Sequence, residues 1–438
     1  MTIREENTMP SLLMIINFFP PSAGGGVYRP LSFVRDLSNR GWDITVVTPQ
    51  AGEFWITDEA LLKKIPEKVR VARTMSLSGQ RVMNALRSGR SGPSRRSSSG
   101  FGLVRALSDF FLIPDSYVGW LPFARNAAFK LVKQGHFDAL YSTSPPDSSH
   151  LIANSVAKRF HLPWVADFRD PWINLYLKKP PTPIHACLHR HFERTVTKAD
   201  AILVTTDWHE EILERLYPGA RVVKITNGYD EDDFVGTEQM SPSGDVLTIL
   251  HCGMLTLGRS SRPFLEGLAA FLSDTPDALG RIKVSFVGAR ESDNEYWVER
   301  FSLEDVVSFE DNVPHEECIR REAVSHVLLL IKHDTPNYNG LVPGKLYEYI
   351  GARRPILAVV PEGEAARIVL NTGRGEVADI SKTRQIAEKL GVMFKLFMDG
   401  RLDASYNLSK IDDFSRRVQS AKLDELLKAM VGDNESKA

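Results

Sequence analysis

Lys345 and Glu348 stand three residues apart in the stretch NGLVPGKLYEYIGARRPIL, Asn339 to Leu357. A loop containing Gly and Pro runs into a short helical segment there, and an apolar run of β type follows. Pro343 is expected at the first helical position, where its missing N–H would be unpaired in any case. The N–H groups of Gly344 and Lys345 then point out of the helix start. Free N–H groups beside a lysine make a site for phosphate. Glu348 lies about one turn further on, on the same face, and a carboxylate there can accept two hydrogen bonds from a ribose diol. These residue types together fit a nucleotide, with diphosphate at the helix tip and ribose on the carboxylate. The competing account is a plain Lys–Glu pair on an exposed helix.

A second loop, HCGMLTLGRSSRP, follows an apolar strand. Gly253 and Gly258 let backbone approach a ligand closely, and Arg259 is placed at the strand's carboxyl end. In a doubly wound sheet, ligands sit at that edge. Arg259 and Lys345 can together neutralise a diphosphate and stabilise it as a leaving group, the work a metal ion often does.

The glycine cluster in PPSAGGGVYRP does not match GxGxxG, and the next strand, ITVVTPQ, ends without the acid that would hold a dinucleotide ribose. Both points argue against a nicotinamide enzyme. Gly24, Gly25 and Gly26 still offer N–H groups to an anionic ligand, or simply form a tight turn. Asp167, Arg169 and Asp170, in VADFRDPW, fall at another strand's carboxyl end and read as functional; an internal Asp–Arg salt bridge is the rival account. Asp115 in IPDSYVGW and His150 in STSPPDSSH complete the candidates for an acceptor side. Asp170 is the catalytic candidate among them. Two metal readings fail. His189 and His191 are two apart in a helix, so their rings diverge, and the D-x-D of Asp230 and Asp232 sits in a solvated turn.

Stepping from these residues to their supports, the chain alternates strand and helix twice. The first set runs from SLLMIINFF to RVVKITNG. The second begins at VLTILHCG, after the polar segment Gly236 to Asp245. Parallel βαβ units follow from such alternation. The expected architecture is α/β: two doubly wound Rossmann-like domains facing across a cleft, residues 1–238 and 246–408. A helical tail, 409–438, crosses between them.

The 438 residues are 43% hydrophobic and 25% charged, with net charge -1. That balance makes no case for nucleic-acid binding. Three scattered cysteines give neither a disulfide framework nor a zinc site, and they fit a cytoplasmic protein. No apolar run approaches the roughly 18–20 residues that span a bilayer. From Arg81 to Arg105 there are six arginines and no acid. The segment 81–113 is either a solvated loop or a basic, apolar contact with an anionic membrane surface.

In FFPPSAGGGVYRP, IPDSYVGW, STSPPDSSHLIA, WVADFRDPW, ITNGYDEDDF, HCGMLTLGRSSRPFLEGL and LVPGKLYEYIGARRPIL the chain resembles glycosyltransferase family 4 along nearly its whole length, in the branch found in bacterial surface-polysaccharide synthesis. The resemblance implies the GT-B fold and a retaining, metal-independent transfer with no cofactor. The donor, a UDP- or GDP-sugar carrying a hexose or N-acetylhexosamine, would lie in the C-terminal domain. A glycan or lipid-linked glycan acceptor would lie in the N-terminal one. Arg259 and Lys345 would match the family's diphosphate-binding cations. Glu348 would match the second glutamate of its E-x7-E motif. The first falls at Gly340, so backbone from Asn339 to Leu341 is left to contact the sugar. The family's loop histidine is replaced at DFRD by Arg169 or Asp170. Because Gly340 lacks the carboxylate, a non-catalytic nucleotide-sugar-binding subunit of an assembly complex is the alternative. The expected location is the cytoplasm, either free or peripheral on the inner face of the plasma membrane.

Overall fold

The computed structural model describes residues 9–50, 57–77, 110–237, 239–256 and 258–435. Most of segment 81–113 therefore lies outside the described residues. Among the described residues, thirteen strands fall into two sheets. The first holds β1 (Ser11–Ile15), β2 (Asp43–Pro49), β3 (Arg70–Thr74), β4 (Ala139–Ser144), β5 (Trp164–Phe168), β6 (Ala201–Val204) and β7 (Val222–Lys224). Its order is β3-β2-β1-β4-β5-β6-β7, with every pairing parallel. The second holds β8 (Leu247–Cys252), β9 (Ile282–Val287), β10 (Val307–Glu310), β11 (Val327–Ile331), β12 (Ile356–Val360) and β13 (Gly375–Asp379). Its order is β10-β9-β8-β11-β12-β13, again all parallel.

Helices cover both faces of a parallel sheet, so its central strands need apolar side chains on both sides. SLLMI, VLLLI and ILAVV are continuous apolar runs for that reason, and every residue in them is buried. The edge strands β3 and β13 do not announce themselves in the sequence. RVART and GEVAD are short, charged and half-buried, as edges must be to stay unpaired.

The described chain divides into two compact units, 9–226 with 416–435, and 227–415. The divide comes at Thr226, ahead of the polar segment at Gly236 where the sequence placed it. Tyr229 and Phe234 bury against Gly351, where an added Cβ would meet Phe234 at 2.5 Å. That packing draws 227–237 into the second unit. Residues 409–415 stay with it too, since the Tyr229 N–H donates to the Phe414 carbonyl at 2.9 Å. Helix Arg416–Glu435 packs in the first unit, along helix Gly25–Asn39. The Trp42 indole donates to Asp424 at 2.8 Å, and the Ser420 hydroxyl donates to Asp36 at 2.9 Å.

Strand order reverses between β1 and β4 in the first sheet and between β8 and β11 in the second. Those switch points open a crevice at the carboxyl ends of the strands.

Candidate functional site

In the second unit, the loops leaving β8 and β11 carry most of the residues expected to hold a donor. Gly253 ends β8, and an added Cβ there would meet the His251 ring nitrogen at 3.2 Å. Gly258 has φ of 84°, a value few side chains tolerate, and Arg259 follows. The Arg259 guanidinium is half-buried and makes no ion pair among the described residues, and its Nε has no partner. Burial pulls its pKa below the ordinary range. Its charge is felt at both His251 and Lys332.

Helix Gly344–Gly351 begins one residue later than expected. Pro343 is its cap, with φ of -60° and ψ of 136°, and its carbonyl accepts from the Leu346 N–H at 3.0 Å. The ring suits the φ, while the extended ψ turns the loop into the helix. Gly344 is exposed, with nothing within 4 Å of an added Cβ. The N–H groups of Gly344 and Lys345, the first two of the helix, have no carbonyl of the helix to bond. Lys345 and Glu348 share a face and bind each other, Nζ to Oε2 at 2.5 Å. Lys345 also reaches Glu322 at 3.3 Å. Burial alone would lower the Lys345 pKa, but the two carboxylates outweigh it and hold the ammonium charged. Glu322 is fully buried, and burial drives its carboxyl upward. The pair is thus neither exposed nor free: one ammonium is shared by two carboxylates. The charges of Lys345 and Arg259 both bear on His251 and lower its pKa further.

Gly340 is buried in the loop after β11, with Leu341 half-buried beside it. Lys332, at the end of β11, fixes that loop. Its Nζ donates to the carbonyls of Asn339 at 3.2 Å and Leu341 at 2.6 Å. Burial lowers its pKa to about 8. The Glu364 N–H donates to the same Asn339 carbonyl at 3.1 Å. A Cβ on Gly363 would lie 2.3 Å from that oxygen. Backbone at 339–341 is therefore held rigidly where the resemblance puts a glutamate.

Glu322, Lys332 and His251 did not stand out in the sequence. A lysine closing the apolar run HVLLLIKH was the available signal for Lys332. Glu322 sits in HEECIRREA among six other charged or titratable side chains, and only packing singles it out.

The first unit treats its candidates differently. Asp167 is fully buried and accepts from Arg29 through Nε at 3.0 Å and Nη2 at 2.9 Å. Tyr141 and Thr143 also donate to it, at 2.6 Å and 3.2 Å. Burial would raise its pKa, yet the Arg29 charge and these bonds keep it below the ordinary value. An Asp–Arg bridge exists, but its arginine is Arg29 and not the neighbouring Arg169. Arg169 is buried and donates to three carbonyls: Ser144 at 2.8 Å, Pro145 at 2.8 Å, and Gly26. The last contact has a local cause. Pro30 interrupts helix Gly25–Asn39 and has no N–H for the carbonyl four residues back, which is Gly26. Arg169 supplies that donor, and its Nη1 lies 3.3 Å from where a Gly26 Cβ would sit.

Asp115 accepts from the Ser148 N–H and hydroxyl, at 2.8 and 2.7 Å, and so caps helix Ser148–Phe160. His150 was expected toward an acceptor. It lies instead in the core, bonded to Ser142 at 2.8 Å and packed on Phe168 at 4.4 Å, with burial lowering its pKa to about 3. An apolar strand-end neighbourhood swallows an uncharged imidazole easily. Asp170 is half-buried, with its pKa raised by burial. Buried Asp147 feels the charges of Asp115 and Asp170. Gly24, at φ of 102°, and Gly25 are exposed, with no atom within 4 Å of an added Cβ. What remains open at this edge is the glycine turn and Asp170.

Residues 24–228, just under half the chain, match the model of the glycosyl transferase 4-like domain. No curated protein matches the sequence. Sucrose-phosphate synthase from Thermosynechococcus elongatus is similar in structure, with TM-score 0.63 at 13% identity over 97% of this chain and 100% of the other. A UDP-forming trehalose-phosphate synthase from Burkholderia xenovorans gives 0.66 at 12%, covering 96% and 99%. Anabaena HepE, solved with UDP and glucose, gives 0.61 at 12%, covering 96% and 100%. The fold is GT-B. In this GT-B chain the loops after β8 and β11 and helix Gly344–Gly351 belong wholly to the second unit. Among the described residues no helix is long and apolar enough to cross a membrane.

Proposed function

We propose that the protein is a glycosyltransferase that takes a nucleotide-sugar, UDP- or GDP-linked, as donor. The observation that carries this reading is the half-buried Arg259 guanidinium, without an ion pair among the described residues, in the loop after β8, one of the two strands at the sheet's switch point. A desolvated cation without a counter-charge gains most from a dianionic diphosphate. Arg259 and the N–H groups at Gly344 and Lys345 hold the diphosphate, and Lys345 moves between Glu322, Glu348 and the departing phosphate. Glu348 takes the ribose. Rigid backbone at Gly340 and Leu341, with Gly253 and Gly258 opposite, packs on the sugar. That HepE was solved with UDP and glucose, and that a related fold is a UDP-forming synthase, supports this donor class.

The reaction would be retaining and metal-independent. The bond from the anomeric carbon to the diphosphate oxygen breaks, and the acceptor oxygen bonds to that carbon on the same face. The acceptor proton leaves on the diphosphate. The first unit takes a glycan or lipid-linked acceptor, with Gly24, Gly25 and Asp170 as its open groups and Gly26 held behind them by Arg169. Asp167, Arg169 and Asp115 position that edge. The pathway would be cell-surface polysaccharide synthesis at the inner face of the plasma membrane. Exposed Phe110 and Phe111, next to the arginine-rich stretch, support a peripheral contact.

Titration calorimetry with UDP- and GDP-sugars is the test. Micromolar binding of one, lost in Arg259→Ala, is expected; a folded protein that binds and hydrolyses neither sinks the proposal. The Lys345–Glu348 contact favours one rival, a non-catalytic binding subunit, because both groups are already engaged. Lys345→Ala separates the two: an enzyme loses turnover, whereas a scaffold keeps its complex.

A further inference from the structure

A cavity of about 370 Å³ lies within the second unit, at the far end of helix Gly344–Gly351. Arg353 and Arg354 line it, just past the helix, with Tyr229, Glu231, Phe234 and Lys410. Ile350 lines it and lies five residues past Lys345, so at a rise of about 1.5 Å each the cavity begins roughly 7.5 Å along the helix from Lys345.

Its charges are unevenly paired. Arg354 binds Asp403, and Lys410 binds Asp412 at 3.3 Å. Arg353 is exposed and has no ion pair among the described residues. Arg374 stands behind the wall. It is fully buried; its guanidinium donates to the Ser409 carbonyl at 2.6 Å, and its Nε and Nη1 have no partner among the described residues. Its charge bears on Tyr229 and Arg353, both of which line the cavity. A buried guanidinium lacking a counter-charge is unfavourable and creates a positive potential around it. Glu231 gives one oxygen to the Ser415 hydroxyl, while its Oε2 is buried with no partner. Tyr229 and Phe234 meet edge to face, centroids 5.9 Å apart, and add apolar surface.

We propose that this cavity binds a small phosphorylated carbohydrate. The phosphate sits beside Arg353 and Lys410, in the field of Arg374. A sugar hydroxyl donates to Glu231, whose buried Oε2 turns into the cavity to accept it, and the C–H face of the ring lies on Tyr229 or Phe234. A plain anion would leave Glu231 unmatched, and a neutral sugar would leave the two arginines so. Neither the donor nor the transfer reaction enters this assignment.

Glucose 6-phosphate, inorganic phosphate and glucose are the probes, titrated into the full chain by calorimetry. Glucose 6-phosphate is expected to bind at one site, about tenfold or more tighter than inorganic phosphate, with glucose giving no heat. Arg353→Gly keeps the left-handed backbone at φ of 55° and should weaken binding about tenfold. Arg374→Met should do the same if it folds. Lys345→Met should leave the affinity unchanged. The assignment is overturned if folded wild-type protein gives no heat, if phosphate binds as tightly as glucose 6-phosphate, if Arg353→Gly has no effect, or if Lys345→Met removes binding.

Discussion

At the carboxyl edge of the first sheet, the charged side chains are bonded into the protein. Asp167 has four donors, Arg169 three carbonyls and Asp115 a helix start. At the same edge of the second sheet the Arg259 guanidinium has no partner among the described residues. Both edges look alike as sequence, a charge cluster after an apolar strand. The difference teaches that burial with full pairing builds a scaffold, while burial without pairing leaves energy for a ligand.

The largest effect expected from this contrast is on stability. Asp167→Ala strands Arg29 in the core and should cost about 3–5 kcal/mol. Urea unfolding reads it, and nucleotide binding at the second unit should persist in the folded fraction. A loss below ~1 kcal/mol would mean that Asp167 is not the pairing hub its geometry describes.

Arg259→Ala should do the reverse. Transfer should fall about a hundredfold, or about 3 kcal/mol of transition-state stabilisation, with the urea midpoint nearly unchanged. A matching drop in stability with unaltered turnover would put Arg259 in the scaffold class.

Acid should weaken the molecule through its buried imidazoles. Burial lowers His150 and His209 to about 3 and His251 to about 4. Below the ordinary value of 6.5 the unfolded chain takes up protons that the native chain refuses. Stability should therefore be fully present above pH 6.5 and decline as pH falls toward 4 and 3. A urea midpoint flat from pH 7 to 4.5 contradicts that burial.

Glu322→Gln removes one of the two carboxylates that share Lys345 while keeping shape. Because burial raises Glu322 to about 8, its charge repels a diphosphate only above that pH; at about pH 9 UDP affinity should rise roughly three- to tenfold, with little change at about pH 6.5. If affinity falls instead, Glu322 serves to hold Lys345 in place. The smallest effect concerns Cys318, whose thiol pKa drops to about 6 through a hydrogen bond from Cys252 and, despite burial, the Lys345 charge. Iodoacetamide at pH 7 should label Cys318 severalfold faster per accessible thiol than Cys187, and Lys345→Met should narrow the gap.

Two doubly wound sheets were legible from apolar runs alternating with amphipathic segments, because a parallel sheet buried on both faces demands that pattern. β3 and β13 were not, since an edge strand looks like a charged loop. That Gly258 and Arg259 lie in a loop after a strand, and Gly344 and Lys345 at a helix start, was legible because glycines and prolines beside an apolar run are local signals. His150 misled for the same reason: its neighbours in sequence are polar turn residues, whereas its neighbours in space are Phe168 and Trp164.

The sequence by itself determined the alternation, hence the fold class, and the backbone freedom at the glycine turns, because both depend on residues near one another along the chain. Only tertiary structure decided which charges are satisfied. Arg29 meets Asp167 across 138 positions and Glu322 meets Lys345 across 23. Pairing is a property of distance in space, and a charge's worth to a ligand is whatever such pairing leaves over.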